Sequence, residues 1–179
     1  MIDVITGPMF SGKTGELIRR VKAYEVAGLK CIAFKPEIES RNEDENNGIA
    51  THDRKDAIKA VMESNPIDIA RKASDYDVIA IDEAQFFEPY LYLVLKALQE
   101  ADKIVIVSGL DLDYEMEPFT TMANIMAIAQ KIDKYTAVCN DCRQPAQYSK
   151  RVSEEKGRVL IGGDDKYAAN CLKCFYKSN

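Results

Sequence analysis

At 179 residues, 46% of them hydrophobic, the chain is long enough to bury one substantial core, with room for a small appendage, without help from disulfides. Lys and Arg number 24 against 29 Asp and Glu, and the formal charge of −5 with no basic block argues against nucleic acid as a partner. No stretch approaches the roughly 18 apolar residues of a membrane helix, and the opening Met-Ile-Asp-Val-Ile-Thr carries no basic leader, so a cytoplasmic protein with no membrane partner is expected.

In chain order, residues 2–5 read as a short buried strand and residues 14–26 space their apolar side chains as a helix does. Between them lies Gly7-Pro8-Met9-Phe10-Ser11-Gly12-Lys13-Thr14, a glycine, four residues, then Gly-Lys-Thr: the phosphate-binding loop pattern in its strand-to-helix context. Successive backbone N–H groups and a helix N-terminus attract an anion there, with Lys13 adding an ammonium and Thr14 a hydroxyl suited to magnesium. The plainer alternative is a glycine turn that only starts a helix. The helix stops near Gly28; residues 31–35 form the next strand, with Cys31 read as core. Residues 36–48 are polar and charged, the composition of a mobile loop. Asn65-Pro66-Ile67-Asp68 reads as a capped helix start, and another helix is expected from near Pro89 towards Ala101. The near-continuous apolar runs at 77–81 and 104–107 suit a parallel sheet covered on both faces. The expected fold is therefore α/β, a P-loop NTPase-like parallel sheet covered by helices over residues 1–134. A small zinc-ribbon-like lobe is expected over 135–179, where the character of the chain changes.

That lobe carries two Cys-x-x-Cys knuckles, Cys139 with Cys142 and Cys171 with Cys174. Four soft thiolates in paired knuckles suit a tetrahedral zinc ion with no open position for water, a structural rather than a catalytic site. Two disulfides or a redox-active pair are the other readings of the same cysteines. The stretch between the knuckles has room for a hairpin near 146–149 and 159–161.

A second chemical centre is Ile81-Asp82-Glu83-Ala84-Gln85-Phe86-Phe87, where an apolar strand ends in two carboxylates. Ligands of open parallel sheets gather at the carboxyl ends of strands. Asp82 is placed to hold magnesium, and the differently directed Glu83 is free to take a proton; a plain acidic loop is the alternative. Asp53 and Arg54, read alone, form a solvated ion pair.

Taken together, Gly7 to Thr14, Thr51-His52-Asp53-Arg54, Ile81 to Phe87, Gly109-Leu110-Asp111, Pro118-Phe119, Thr136-Ala137-Val138-Cys139 and Gly162-Gly163-Asp164-Asp165-Lys166-Tyr167 resemble the cellular, type II thymidine kinase family. The resemblance covers nearly the whole chain in order. It implies transfer of the ATP γ-phosphoryl group to the 5′-hydroxyl of thymidine, a homotetramer, and feedback inhibition by thymidine triphosphate. In this pattern Gly7, Pro8, Met9, Phe10, Ser11, Gly12, Lys13 and Thr14 hold the phosphates, Asp53, Arg54, Asp82 and Gln85 complete the nucleotide site, and Glu83 is the catalytic base. Thr14 and Asp82 organise magnesium. Met9, Phe86, Leu110, Tyr114, Phe119, Ser149, Arg158, Leu160, Ile161, Gly162 and Tyr167 surround the nucleoside, with the base read largely by main-chain hydrogen bonds. Without the resemblance each Met or aromatic in that set could equally be core. Tyr114 stands where the family commonly has Phe, Arg158 where a small apolar residue is frequent, and Gly15 where Thr is frequent.

Asp-Glu-Ala-Gln also resembles the acidic pair of ATP-driven helicases, in which Glu activates water, so a hydrolase or nucleic-acid motor is a second reading. The chain is too short for two motor domains, and it has no Asn-Lys-x-Asp segment of the kind that reads guanine. A zinc-ribbon interaction module with a regulatory nucleotide site is a third reading, and it leaves Glu83 without a role.

Overall fold

The computed structural model describes residues 1–37, 48–51, 55–153 and 166–177. Most of the polar loop expected at 36–48, the His52-Asp53-Arg54 segment and the hairpin arm expected at 159–161 lie outside these residues. The chain begins with strand β1 (Ile2–Thr6), helix α1 (Lys13–Val26) and β2 (Cys31–Lys35). The hairpin of β3 (Gly48–Ala50) and β4 (Ala57–Lys59) follows, then β5 (Val61–Met62), α2 (Pro66–Lys72) and β6 (Val78–Ile81). Next come α3 (Leu91–Glu100), β7 (Ile104–Gly109), α4 (Thr120–Ile128) and β8 (Lys131–Lys134). Six of these strands form one sheet in the order β5-β2-β6-β7-β1-β8, parallel at every pairing.

Strand periodicity explains why the sheet needs cover on both sides. Ile79 and Ile81 of β6, with Val105 and Val107 of β7, face a core shared with Ile69, Leu91, Leu95, Met122 and Ile125 from α2, α3 and α4. Val78, Ala80 and Ile106 face the opposite way, onto Leu17, Ile18 and Val21 of α1. Cys31 packs half-buried at that second face. At the α1 face the one acid of β1, Asp3, meets Arg20 at 3.6 Å, while Arg20 also pairs with Asp133 of β8 and with Glu16 at 2.8 Å. This charged seam fastens the helix over the sheet's edge strand. A cleft of about 610 Å³ opens beside it, lined by Asp3, Glu16, Arg20, Ile132 and Asp133 among others.

Local signals behave as their chemistry requires. Asn65 caps α2 by accepting from the Ile67 N–H at 3.0 Å, with Pro66 in the first turn. Gly28 takes φ 86° just past α1, the left-handed conformation that ends helices. The helix expected from Pro89 starts slightly later, at Leu91.

After β8 the architecture changes to short antiparallel ribbons. β9 (Ala137–Val138) pairs with β10 (Pro145–Ala146), and β11 (Tyr148–Arg151) pairs with β12 (Tyr167–Asn170), ahead of the short helix α5 (Leu172–Phe175). The described partner of β11 is thus β12, nearer the second cysteine knuckle than the arm expected at 159–161. No helix among the described residues is long and apolar enough to cross a membrane.

Candidate active site

Parallel strands deliver their carboxyl ends to one edge of the sheet, and the register brings Thr6 of β1 beside Gly109 of β7. The phosphate loop leaves β1 at that edge. Gly7 adopts φ 137°, and a Cβ on it would sit 2.3 Å from the Tyr135 carbonyl oxygen, so the loop passes under residue 135 only because it has no side chain there. Phe10 takes φ 63° and Gly12 φ 84°, two left-handed residues that curl the chain before α1 opens at Lys13. Ser11 Oγ donates to the Pro8 carbonyl at 2.8 Å, and Lys13 Nζ donates to the same oxygen at 2.7 Å, folding the lysine over its own loop.

Replacing Gly7 by Ala should therefore cost about 1 to 3 kcal/mol, the usual range for overpacking a well-filled site. Gly12 meets nothing within 4 Å at its would-be Cβ, so Gly12→Ala carries only the cost of its positive φ. Urea unfolding of the two variants checks this, and a Gly7→Ala chain no less stable than Gly12→Ala would refute the steric argument.

Lys13 is buried, which lowers its pKa, while the negative charges of Glu83, Asp82 and Asp111 oppose that shift. One ammonium thus sits among three carboxylates. Asp82 follows the last residue of β6 and is almost fully buried, and its Oδ1 accepts from the Glu83 N–H at 3.0 Å. Glu83 takes φ 51°, a left-handed conformation that costs a non-glycine residue energy. The next residues form a single 3₁₀ turn, Ala84–Phe86.

Gln85, assigned by resemblance to the nucleotide site, makes two specific bonds here. Its Nε2 donates to Glu83 Oε2 at 2.5 Å and its Oε1 accepts from the Leu110 N–H at 3.0 Å, so the backbone donor sets which way the amide points. The same oxygen would lie 2.8 Å from a Cβ on Gly109, which keeps that position free of a side chain. Glu83 is thereby tied to the loop after β7. Asp111 in that loop pairs with Lys134 at 2.6 Å.

Several residues expected around the nucleoside are brought together. Phe86 and Phe119 meet edge to face, 6.4 Å between centroids. The Met9 N–H donates to Ser149 Oγ at 2.9 Å, joining phosphate loop to β11. Arg151 stacks over Tyr114 at 3.6 Å and lies 5.8 Å from the Tyr167 ring centroid. Asp53, Arg54, Arg158, Leu160, Ile161 and Gly162 lie outside the described residues.

The cysteines converge as their spacing requires. The ligand atoms of Cys139, Cys142, Cys171 and Cys174 all lie within 4.8 Å of one another, with Cys142 Sγ 3.6 Å from Cys171 Sγ. Tetrahedral zinc with bonds of about 2.3 Å places its sulfurs roughly 3.8 Å apart, so the donor set fits that ion. Burial raises the Cys139 pKa, but N–H groups of Cys142, Cys171 and Asp141 outweigh it and bring the thiol down to about 6. Asn170 Nδ2, 3.8 Å from Cys139 Sγ, bonds Asp141 at 2.7 Å and braces the cluster from outside.

The thymidine kinase family model matches residues 1–175. The chain belongs to the thymidine kinase family. The thymidine kinases of vaccinia virus strain Western Reserve and of raccoon poxvirus are 39% and 40% identical to it, covering 99% and 97% of this chain and 97% and 96% of their own. The thymidine kinase of a Rhodothermus strain is 39% identical over 97% of this chain and 80% of its own. A crystal structure of a Bacteroides Pif1 bound to single-stranded DNA aligns with 70% of this chain and 32% of its own, at 18% identity and a TM-score of 0.35, a likeness that carries no argument. In this thymidine kinase family member, sequence reading had not singled out Tyr135 over Gly7, Asp111 beside Lys13, or Arg151 between two tyrosines. Asp111 belongs to the Gly109-Leu110-Asp111 motif and is legible there; the other two are visible only in three dimensions.

Proposed function

We propose that this chain transfers the γ-phosphoryl group of ATP to the 5′-hydroxyl of thymidine, giving thymidine monophosphate. The observation that carries the reading is the buried Lys13 ammonium of the phosphate loop among Asp82, Glu83 and Asp111, in a member of the thymidine kinase family. Phosphoryl transfer needs positioning and charge stabilisation more than covalent help, and the parts suit that task. Residues 7–14 bind the phosphates through loop N–H groups. Lys13 exchanges its Pro8 partner for phosphate oxygens and stabilises charge that grows in the transition state. Glu83, held by Gln85, accepts the 5′-hydroxyl proton as the γ-phosphoryl group is attacked. Thr14 and Asp82 would hold magnesium, which neutralises phosphate charge.

In this reading Asp53 and Arg54 serve the nucleotide site. Met9, Phe86, Leu110, Tyr114, Phe119, Ser149 and Tyr167 wall the nucleoside, with Arg158, Leu160, Ile161 and Gly162 covering it. A structural zinc ion on the four cysteines stabilises a lobe of residues 135–179, set apart from the nucleotide-binding domain of residues 1–134. Thymidine triphosphate, a nucleoside carrying its own phosphates, spans both subsites as an inhibitor. The working form is a cytoplasmic homotetramer that engages neither nucleic acid nor membrane.

The test is ADP release from ATP across a panel of nucleosides and single- and double-stranded nucleic acids. Release that depends on thymidine and ignores nucleic acid is expected. Release driven by nucleic acid would replace this reading with a motor.

A further inference from the structure

We propose that Arg151 is a positioning residue for the nucleoside, holding Tyr114 and Tyr167 in the arrangement that receives the base; the inference rests on the thymidine kinase reading of that site. Arg151 ends β11 and Tyr167 begins β12, and the two are directly opposed in the ribbon. Opposed residues, and residues two apart on one strand, share a face, so Ser149, Arg151 and Tyr167 all project from the same side. Ser149 joins that side to the phosphate loop by accepting from Met9 N–H at 2.9 Å.

Arg151 makes the second junction. Its guanidinium lies 3.6 Å from the centroid of the Tyr114 ring, in the loop between β7 and α4, and 5.8 Å from that of Tyr167, to whose hydroxyl it donates at 3.4 Å. A planar cation between two aromatic rings fixes their spacing and tilt better than an ammonium, because it stacks on one ring while bonding the other. Three separate parts of the chain are joined at this point. All three bear a residue expected to touch the nucleoside, Ser149, Tyr114 and Tyr167, whereas Glu83 and Asp111 beside Lys13 are held by Gln85 and Lys134, which lie outside the ribbon. The interaction should therefore act on nucleoside binding and leave the phosphate end unchanged.

The experiment measures kcat, KM for thymidine, KM for ATP and thermal midpoint on the parent chain, Arg151→Ala, Arg151→Lys, Tyr114→Leu and the Arg151→Ala/Tyr114→Leu double variant. Arg151→Ala should raise the thymidine KM about tenfold, between the scales of an exposed and a desolvated cation–π contact, as suits two half-buried partners. The ATP KM, kcat and midpoint should stay near parental values. Arg151→Lys should fall between, since it keeps charge and loses the planar stack. On the Tyr114→Leu background the Arg151 change should add far less than tenfold, because its partner ring is gone. A parental thymidine KM in Arg151→Ala overturns the role, as does a full tenfold increment without Tyr114. A joint rise of both KM values with a lower midpoint also overturns it, showing that Arg151 only holds the fold. If the parent chain itself phosphorylates no thymidine, the proposed function fails first and this inference falls with it.

Discussion

Replacing Glu83 by Gln should lower thymidine phosphorylation by roughly 10² to 10⁴, the usual worth of a general base, or about 3 to 5 kcal/mol of transition-state stabilisation. The change is nearly isosteric and keeps hydrogen-bonding capacity. Gln85 Nε2 can still donate to the amide oxygen, as it does to Glu83 Oε2 at 2.5 Å, so the left-handed turn at residue 83 keeps its support. ATP affinity should change far less, because the phosphate loop and Asp82 are untouched. Turnover and ATP binding measured side by side distinguish the possibilities. More than about a tenth of parental turnover would remove Glu83 as the base, while loss of ATP binding would indicate a metal or folding role instead.

Stripping zinc should unfold the cysteine lobe and abolish nucleoside phosphorylation with it. The local apolar cluster is small, built on Ala137, Cys139, Ala146, Ala169 and Cys174, too little to hold short ribbons together alone. Two of its five members, Cys139 and Cys174, belong to the four-cysteine set that would hold the zinc, so a chain without it would leave buried thiols facing one another. Because Ser149 and Arg151 lie on the ribbon that joins this lobe to the phosphate loop and to Tyr114, its loss reaches the active site. Metal analysis should find one zinc per chain, and Cys171→Ser should lose both the metal and thermal stability. A well-folded chain with less than half a zinc, and unchanged stability in Cys171→Ser, would remove the structural-zinc reading.

What could be read from the sequence was whatever is local. The first strand, phosphate loop and α1 form one contiguous unit whose glycines, lysine and apolar spacing are all within thirty residues. Asn65 announces its helix by chemistry that acts two residues away. The buried runs of β6 and β7 reveal a doubly covered sheet because both faces must be apolar.

Other elements could not be read so directly. β8 is an edge strand of sequence Lys-Ile-Asp-Lys, whose charges suit one open side and conceal its pairing with β1. β5 is only two residues long, and its strand character comes from β2 beside it. α4 begins with two threonines and has no strongly one-sided apolar face; its place is decided by burial of Met122 and Ile125. At the site, spacing identified Lys13, Asp82 and the four cysteines. The linkage of Glu83 through Gln85 to Leu110, and of Arg151 to Tyr114, joins residues distant in sequence and follows only from the fold.

The most direct test of the central claim is the fate of labelled phosphate. The chain is incubated with ATP labelled at the γ-phosphorus, magnesium and thymidine, and the products are separated. The label is predicted on the 5′-oxygen of thymidine, as thymidine monophosphate, in one-to-one yield with ADP. Label recovered as inorganic phosphate, with thymidine unchanged, would contradict it.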